Sequence, residues 1–308
     1  MAAISRISSR IPPIDHSVLV PSWELTLRAE RKANATIEQY TTAVRLYFRW
    51  CATNAEPLAV DRTLVKRFIA DLMEAGKAPS TAGLRLQALR QFSRWLTEEG
   101  EQAEDPLLGL KPPKVDVAVV QSLTEDELRA LLKACAGRTF RDRRDEAAVR
   151  LLAETGMRSG ELLGLTVDDV DLVKGLVLIR HAKNHHGRMV SVGPQTAAAV
   201  DRYLRVRRQH RLANTSTLWL GDNSRGTISY HGLRDAILRR AETAGLRHFH
   251  LHKLRHTFAS RWLDSGGSEG GLMATAGWRR REMLDRYVAA TAAERAADEA
   301  RRLNLGDL

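Results

Sequence analysis

Apolar residues in the first hundred positions recur at steps of three and four. Ile37, Tyr40, Val44, Tyr47, Phe48 and Cys51 form one stripe. Leu64, Val65, Phe68, Ile69 and Leu72 form a second, and Leu84, Leu86, Leu89, Phe92, Trp95 and Leu96 a third. This period places each set along one face of a helix. Gly76 with Pro79, and later Gly100, stand where such helices would end. Residues 1–20, with Pro12 and Pro13, read as a poorly ordered lead-in, and helical patterning starts at Trp23. Residues 21–104 therefore predict a small helical bundle. Residues 105–118 hold Pro106, Gly109, Pro112 and Pro113, which prevent helix continuation and stiffen a linker.

Residues 119–308 follow a different pattern. Thr124-Glu125-Asp126-Glu127, ahead of Leu128, Leu131 and Leu132, is a capping box opening an amphipathic helix. A second helix spans Arg144 to Glu154, and Gly156 suits a left-handed cap. Leu176–Arg180 and Arg188–Val192 read as two strands of a hairpin. Helices follow at Pro194–Arg211 and Ser229–Ala244, then three short ones between His252 and Tyr287. The last segment, 292–308, is patterned with Ala and Leu. The expected fold class is mainly α with a small antiparallel β-sheet: an N-terminal helical bundle, then a mixed α/β domain.

Composition narrows the partners. The chain has 308 residues, enough for two cores, and 44% of them are hydrophobic, which argues against disorder. The formal net charge of +11 favours a polyanion, nucleic acid first. No apolar run approaches the roughly 20 residues that span a bilayer, and Met1–Arg10 leads into no apolar signal segment. A cytoplasmic protein without a membrane partner is expected. Cys51 and Cys135 are expected to be reduced core residues. His185 and His186 are adjacent and would point apart on a turn, so no metal site is expected.

The candidate chemistry lies in the second domain. Arg158 would sit at the entry to a short helix, where backbone N–H groups also favour anions, with Glu161 on the same face. His252, Arg255, Trp278 and Tyr287 combine a fork of fixed positive charge, an imidazole, an indole N–H and a phenol. A tyrosine hydroxyl needs neighbours that stabilise its anion before it can act as a nucleophile, and a phosphodiester held by arginines suits the set. In the first domain Arg45, Arg49, Arg85, Arg90 and Arg94 lie between the apolar stripes, and Lys111 and Lys114 lie in the linker. With Arg234 on a later helix, they are candidates for phosphate contact, or a solvated face. Arg207 and Arg240, on the two basic helices after the hairpin, read the same way.

These residues also carry a resemblance. Thr155-Gly156-Met157-Arg158-Ser159-Gly160-Glu161-Leu162-Leu163-Gly164-Leu165, then His252-Lys253-Leu254-Arg255-His256, Gly277-Trp278 and Tyr287, resemble in order the motifs of the tyrosine recombinases, the phage integrase family. Thr36-Ile37…Tyr40, with Thr81…Leu89-Arg90…Phe92…Trp95, resembles that family's core-binding domain. Lys183, five residues before Arg188, stands where the family's hairpin carries a lysine, though Ala182-Lys183-Asn184-His185-His186-Gly187-Arg188 lacks the usual flanking glycines.

The resemblance implies a site-specific recombinase that cleaves and rejoins DNA through a 3′-phosphotyrosyl intermediate, without ATP, metal or other cofactor. Tyr287 would be the nucleophile, with Arg158, Arg255, His252 and Trp278 on the phosphate. Lys183 would protonate the leaving 5′ oxygen, and Glu161 and His256 would orient the others. His252 is also a candidate to accept the tyrosine proton. Double-stranded DNA with a core site and a tetramer of protomers on two sites are the implied partners, with room for an accessory protein. The closing helix would dock on a neighbouring protomer or on its own domain. With no separate arm-binding domain expected before Trp23, the implied types are a dimer resolvase, a small integrase or a transposon recombinase. A type IB topoisomerase and a non-catalytic DNA-binding regulator are the competing readings.

Overall fold

Asp15 accepts the backbone N–H of Ser17 at 2.9 Å and caps a 3-10 turn, His16–Leu19. The structure, a computed structural model, describes residues 15–114, 122–180, 187–222, 226–285, 287 and 300–301. The turn runs into α1 (Val20–Ala29), with Pro21 in its first turn, where a missing N–H costs nothing. Helix therefore begins ahead of Trp23, and residues 1–14 lie outside the described residues. Burial explains the difference: His16 is covered, its N–H donates to Leu58 O at 2.8 Å, and its Nδ1 accepts the Val60 N–H at 3.1 Å.

The bundle continues with α2 (Asn34–Thr53), α3 (Arg62–Glu74) and α4 (Pro79–Glu98). The three stripes meet inside it, with Val44, Tyr47, Val65, Leu89, Phe92 and Leu96 almost fully buried. Leu84 departs from its stripe and is exposed, whereas Leu86, two residues on, turns inward. Gly76 and Gly100 take left-handed conformations beyond α3 and α4. The start of the expected linker packs on this bundle: Leu107 is buried, and Arg62 Nη1 donates to Pro106 O and Leu108 O, both at 3.0 Å.

The chain divides into two compact units, Met1–Asp116 and Val117–Leu308. In the second unit come α5 (Glu125–Ala134), α6 (Phe140–Thr155) and the short α7 (Ser159–Leu163). Three antiparallel strands follow, β1 (Val170–Asp171), β2 (Leu176–Ile179) and β3 (Arg188–Ser191), in the order β1-β2-β3. Leu176 pairs with Ser191 and Ile179 with Arg188, so the expected hairpin is present, with β1 as an unforeseen third strand. The chain then forms α8 (Pro194–Arg207), α9 (Tyr230–Thr243), α10 (Leu251–Asp264) and α11 (Glu269–Ala276). Among the described residues no helix is long and apolar enough to cross a membrane.

The expected capping box on α5 is present, with Thr124 Oγ1 accepting the Glu127 N–H at 3.1 Å. α6 starts four residues earlier than expected, because Thr139 and Asp142 form a second box. Buried on almost every side, α6 is the axis of this unit and packs against α5, α8, α9 and α10.

Two expectations about basic helices are corrected. Arg207, read as solvated or phosphate-binding, is buried and donates to the carbonyls of Ala213, Thr215, Thr217 and Leu218 at 2.7–3.0 Å. It ties the turn after α8 to the end of that helix. Arg240 likewise serves the interior, pairing with Asp142 at 2.8 Å and Asp145 at 3.0 Å. Cys51 and Cys135 are buried and free, and burial pushes the Cys135 thiol up to about 12.

Candidate active site

Gly156 ends α6 in the left-handed region at φ 60°, and a Cβ added there would lie 2.2 Å from the Phe258 ring. This close turn delivers Arg158 to the N-cap of α7. The Arg158 N–H donates to Glu161 Oε2 at 2.8 Å and its Nη1 to Oε1 at 3.0 Å, so the expected pair is formed. The same carboxylate accepts Arg188 Nη1 at 3.0 Å and Nη2 at 2.8 Å. Burial alone would raise the Glu161 pKa; hydrogen bonds from Arg188 and the Arg158 N–H outweigh it and hold the group below the usual carboxylate range. Arg188 also donates Nε to Thr275 O at 2.8 Å, tying β3 to the end of α11. Its part in the site escapes sequence reasoning, since its partners lie 27 and 87 residues away.

α10 carries His252, Arg255 and His256 at the i, i+3 and i+4 positions that share a helix face. Arg255 is buried and bridges two helix ends: Nη1 donates to Gly156 O at 2.5 Å and Nη2 to Ala276 O at 2.7 Å. Carbonyls at the last turn of a helix lack intrahelical partners and carry the negative end of the macrodipole, so a guanidinium is favoured there. The fork has five N–H donors, which leaves capacity for a further acceptor. Burial, then repulsion from Arg158, lowers the Arg255 pKa to about 10, which still leaves it cationic near neutrality.

Gly277 closes α11 at φ 66°, and a Cβ there would meet the Arg188 guanidinium at 3.0 Å. Trp278 follows at once, and the Arg255 guanidinium carbon lies 5.2 Å from its ring centroid. Tyr287 stacks on the same indole, with centroids 5.2 Å apart and planes 23° apart. Trp278 Nε1 is buried with no hydrogen-bond partner. A buried donor of this kind costs free energy unless an acceptor arrives.

The Tyr287 hydroxyl is hydrogen-bonded to His256 Nδ1. His256 in turn meets His252 edge-on, with ring centroids 4.5 Å apart, and His250 at 6.3 Å. His252 is exposed, yet loss of water around its ring and then repulsion from Arg255, His250 and Arg158 push its pKa down to about 4.

Arg158, Glu161, His252, Arg255, His256, Trp278 and Tyr287 thus belong to one connected site. Lys183, His185 and His186 lie outside the described residues. Arg45, Arg49 and Arg94 are exposed on α2 and α4, and Arg85 and Arg90 are half-buried on α4; Arg45 pairs with Glu24 at 3.1 Å. Lys111 and Lys114 are exposed, and Arg234 pairs with the adjacent Asp235 at 2.9 Å. Among the described residues no group of three His, Cys, Asp or Glu is placed to hold a metal ion.

Known proteins share this plan. Residues 121–294 match the phage integrase family, and residues 20–100 match the N-terminal SAM-like domain of phage integrases. The tyrosine recombinase XerC of Azotobacter vinelandii is 35% identical over 211 residues, covering 67% of this chain and 68% of the relative. The tyrosine recombinase XerA of Thermococcus kodakarensis is 32% identical over 250 residues, covering 80% and 82%. The fold is shared with the Tn1549 transposon integrase solved with circular intermediate DNA, at TM-score 0.75 and 16% identity over 94% of this chain and 99% of that one. It is shared also with the XerH recombinase bound to a palindromic difH substrate, at TM-score 0.72 and 18% identity over 91% and 84%. By motif order, fold and sequence match alike, the chain belongs to the phage integrase family of tyrosine recombinases.

Proposed function

We propose that this chain is a site-specific DNA recombinase that cuts and rejoins one strand at a time through a covalent tyrosyl intermediate. The observation that carries the reading is the cluster around Arg255. A cation anchored on two helix ends lies over Trp278, whose buried N–H lacks an acceptor, and Tyr287 stacks on that indole. A DNA phosphate would supply the missing acceptor and the electrophile together.

On this reading the Tyr287 oxygen attacks phosphorus and negative charge builds on the non-bridging oxygens. Arg158 and Arg255 meet that charge as fixed donors, already in place before the reaction. Trp278 contributes its indole N–H, which can only donate. His252, held neutral by loss of water around its ring and then by the neighbouring arginines, donates or accepts a hydrogen bond at the same phosphate rather than adding charge. Lys183 protonates the departing 5′ oxygen as general acid. The 3′-phosphotyrosyl link stores the phosphodiester, so ligation needs no ATP. The relatives named for recombination and the DNA-bound integrases of the same fold support a duplex with a specific core site as substrate.

Residues 21–104 act as the core-binding domain, 105–118 as the linker and 119–308 as the catalytic domain. Arg49, Arg85, Arg90, Arg94 and the linker lysines give the first domain its phosphate contacts. Two sites are brought together by four protomers in the cytoplasm. A two-site exchange assay on supercoiled and linear DNA tests this: recombinant products support it, whereas relaxation alone would indicate a topoisomerase, and tight binding without cleavage a regulator.

A further inference from the structure

We infer that His256, and not His252, is the general base that takes the proton of Tyr287 during cleavage and returns it during ligation. The inference rests on the recombinase reading and deepens it. Tyr287 is buried against Trp278, and its hydroxyl is bonded to His256 Nδ1, so the imidazole touches the reacting oxygen. His256 is fixed from the other side by the edge of His252. It lies one helical turn after His252, immediately after Arg255 in the chain, half-buried and out of the phosphate-facing role assigned to those two.

Charge separates the two histidines. His252 faces Arg255, Arg158 and His250, and a proton delivered there would add a positive charge beside two arginines. Its ring is suited to hydrogen bonding as a neutral group. His256 already makes the required contact with the nucleophile.

Before cleavage the neutral His256 ring carries its hydrogen on Nε2 and presents the Nδ1 lone pair to the tyrosine O–H. As the bond from Tyr287 oxygen to phosphorus forms, the O–H proton moves to Nδ1 and His256 becomes an imidazolium. The bond from phosphorus to the 5′ oxygen breaks, its electron pair leaves with that oxygen, and the oxygen takes a proton from the general acid. In ligation the 5′ hydroxyl attacks phosphorus, and the imidazolium returns its proton to the tyrosine oxygen as that bond breaks. One histidine serves both directions.

The test uses the full chain with a nicked suicide duplex carrying a verified core site. One version has an ordinary phosphodiester and the other a 5′-bridging phosphorothiolate, whose sulfur leaves without a proton. His256→Asn keeps a polar group near the Nδ1 position but cannot take a proton at neutral pH. It is expected to lower the adduct rate by about 10²-fold or more on both duplexes, with unchanged DNA affinity. It is also expected to lose the acidic limb of the pH–rate profile. In His256→Ala, added imidazole should restore part of the rate, a rescue that a merely structural role would not give. His252→Gln should slow the reaction yet keep the acidic limb. A wild-type rate in His256→Asn would overturn the inference, as would its recovery on the phosphorothiolate. Loss of the acidic limb in His252→Gln alone would overturn it too. Absence of any adduct in the wild type on a verified site would instead overturn the recombinase reading itself.

Discussion

Glu161 holds two arginines from different parts of the chain, Arg158 at 3.0 Å and Arg188 at 2.8 Å, on a side chain only 4% exposed. The carboxylate therefore positions Arg158 and pins strand β3, through Arg188, to the same point. Removing one partner of a buried pair leaves an uncompensated charge. Glu161→Ala should destabilise the catalytic unit by about 3 kcal/mol and slow cleavage more than DNA binding. Thermal melting and adduct kinetics check both.

The same group sets a pH dependence. Its pKa in the folded chain lies below its ordinary value of 4.5, so its contribution to stability is fully present above that pH. The contribution disappears as pH falls through the depressed folded value. The melting-temperature difference between wild type and Glu161→Gln should be constant from pH 7 down to about 4.5 and shrink below it. A difference that grew on acidification would contradict the assignment.

Gly156 and Gly100 both have left-handed backbones, but only Gly156 faces a ring, with Phe258 2.2 Å from an added Cβ. Gly100→Ala should cost about 1 kcal/mol, the backbone strain alone. Gly156→Ala should cost clearly more and should also displace Arg158 and the carbonyl that holds Arg255. Melting of the two variants, with cleavage by each, distinguishes local strain from damage to the site.

Trp278→Phe keeps a ring for Tyr287 and Arg255 but removes the unpartnered N–H. The free protein should be no less stable, since an unsatisfied buried donor is lost. Adduct formation should fall by about 10²-fold, the scale of one lost transition-state donor. Trp278→His, which restores an N–H, should recover part of that rate. Equal cleavage by Trp278→Phe and wild type would remove the indole from the phosphate site.

The arginines divide into an interior set and an exposed set, and the proposed function gives the exposed set the DNA contacts. Arg207→Met takes its donor from four carbonyls, of which Leu218 O keeps the Tyr203 hydroxyl, and should cost about 3 kcal/mol without altering the salt dependence of DNA binding. Arg49→Gln and Arg94→Gln, on exposed positions of the bundle, should leave melting almost unchanged. Each should reduce the salt slope of binding by about 1. Titration of affinity against salt concentration separates the two sets.

The bundle and the connected site are legible in the sequence for different reasons. Val44, Tyr47 and Phe92 announce their burial because helical period converts directly into one inward face. Arg158, Arg255 and Tyr287 are legible through their motifs, as are the glycines whose left-handed turns deliver them. What hides is pairing at long range. The spacing of Arg207 and Arg240 looks like any solvated helix face, because the carbonyls and carboxylates that draw them inward lie on other elements. The bond between His256 and Tyr287 spans 31 residues and two helices, so no local pattern records it. His16 is hidden because its partners, Leu58 and Val60, arrive only with the folded bundle.

The most direct test of the account is covalent trapping on a nicked duplex with the core site, with Tyr287→Phe run beside the wild type under denaturing electrophoresis. A detergent-resistant protein–DNA adduct that carries a 3′-phosphotyrosine, forms with wild type and vanishes in the variant is the predicted result. An adduct that persists in Tyr287→Phe, or tight site-specific binding with no adduct from wild type, would contradict the assignment of Tyr287 as the nucleophile.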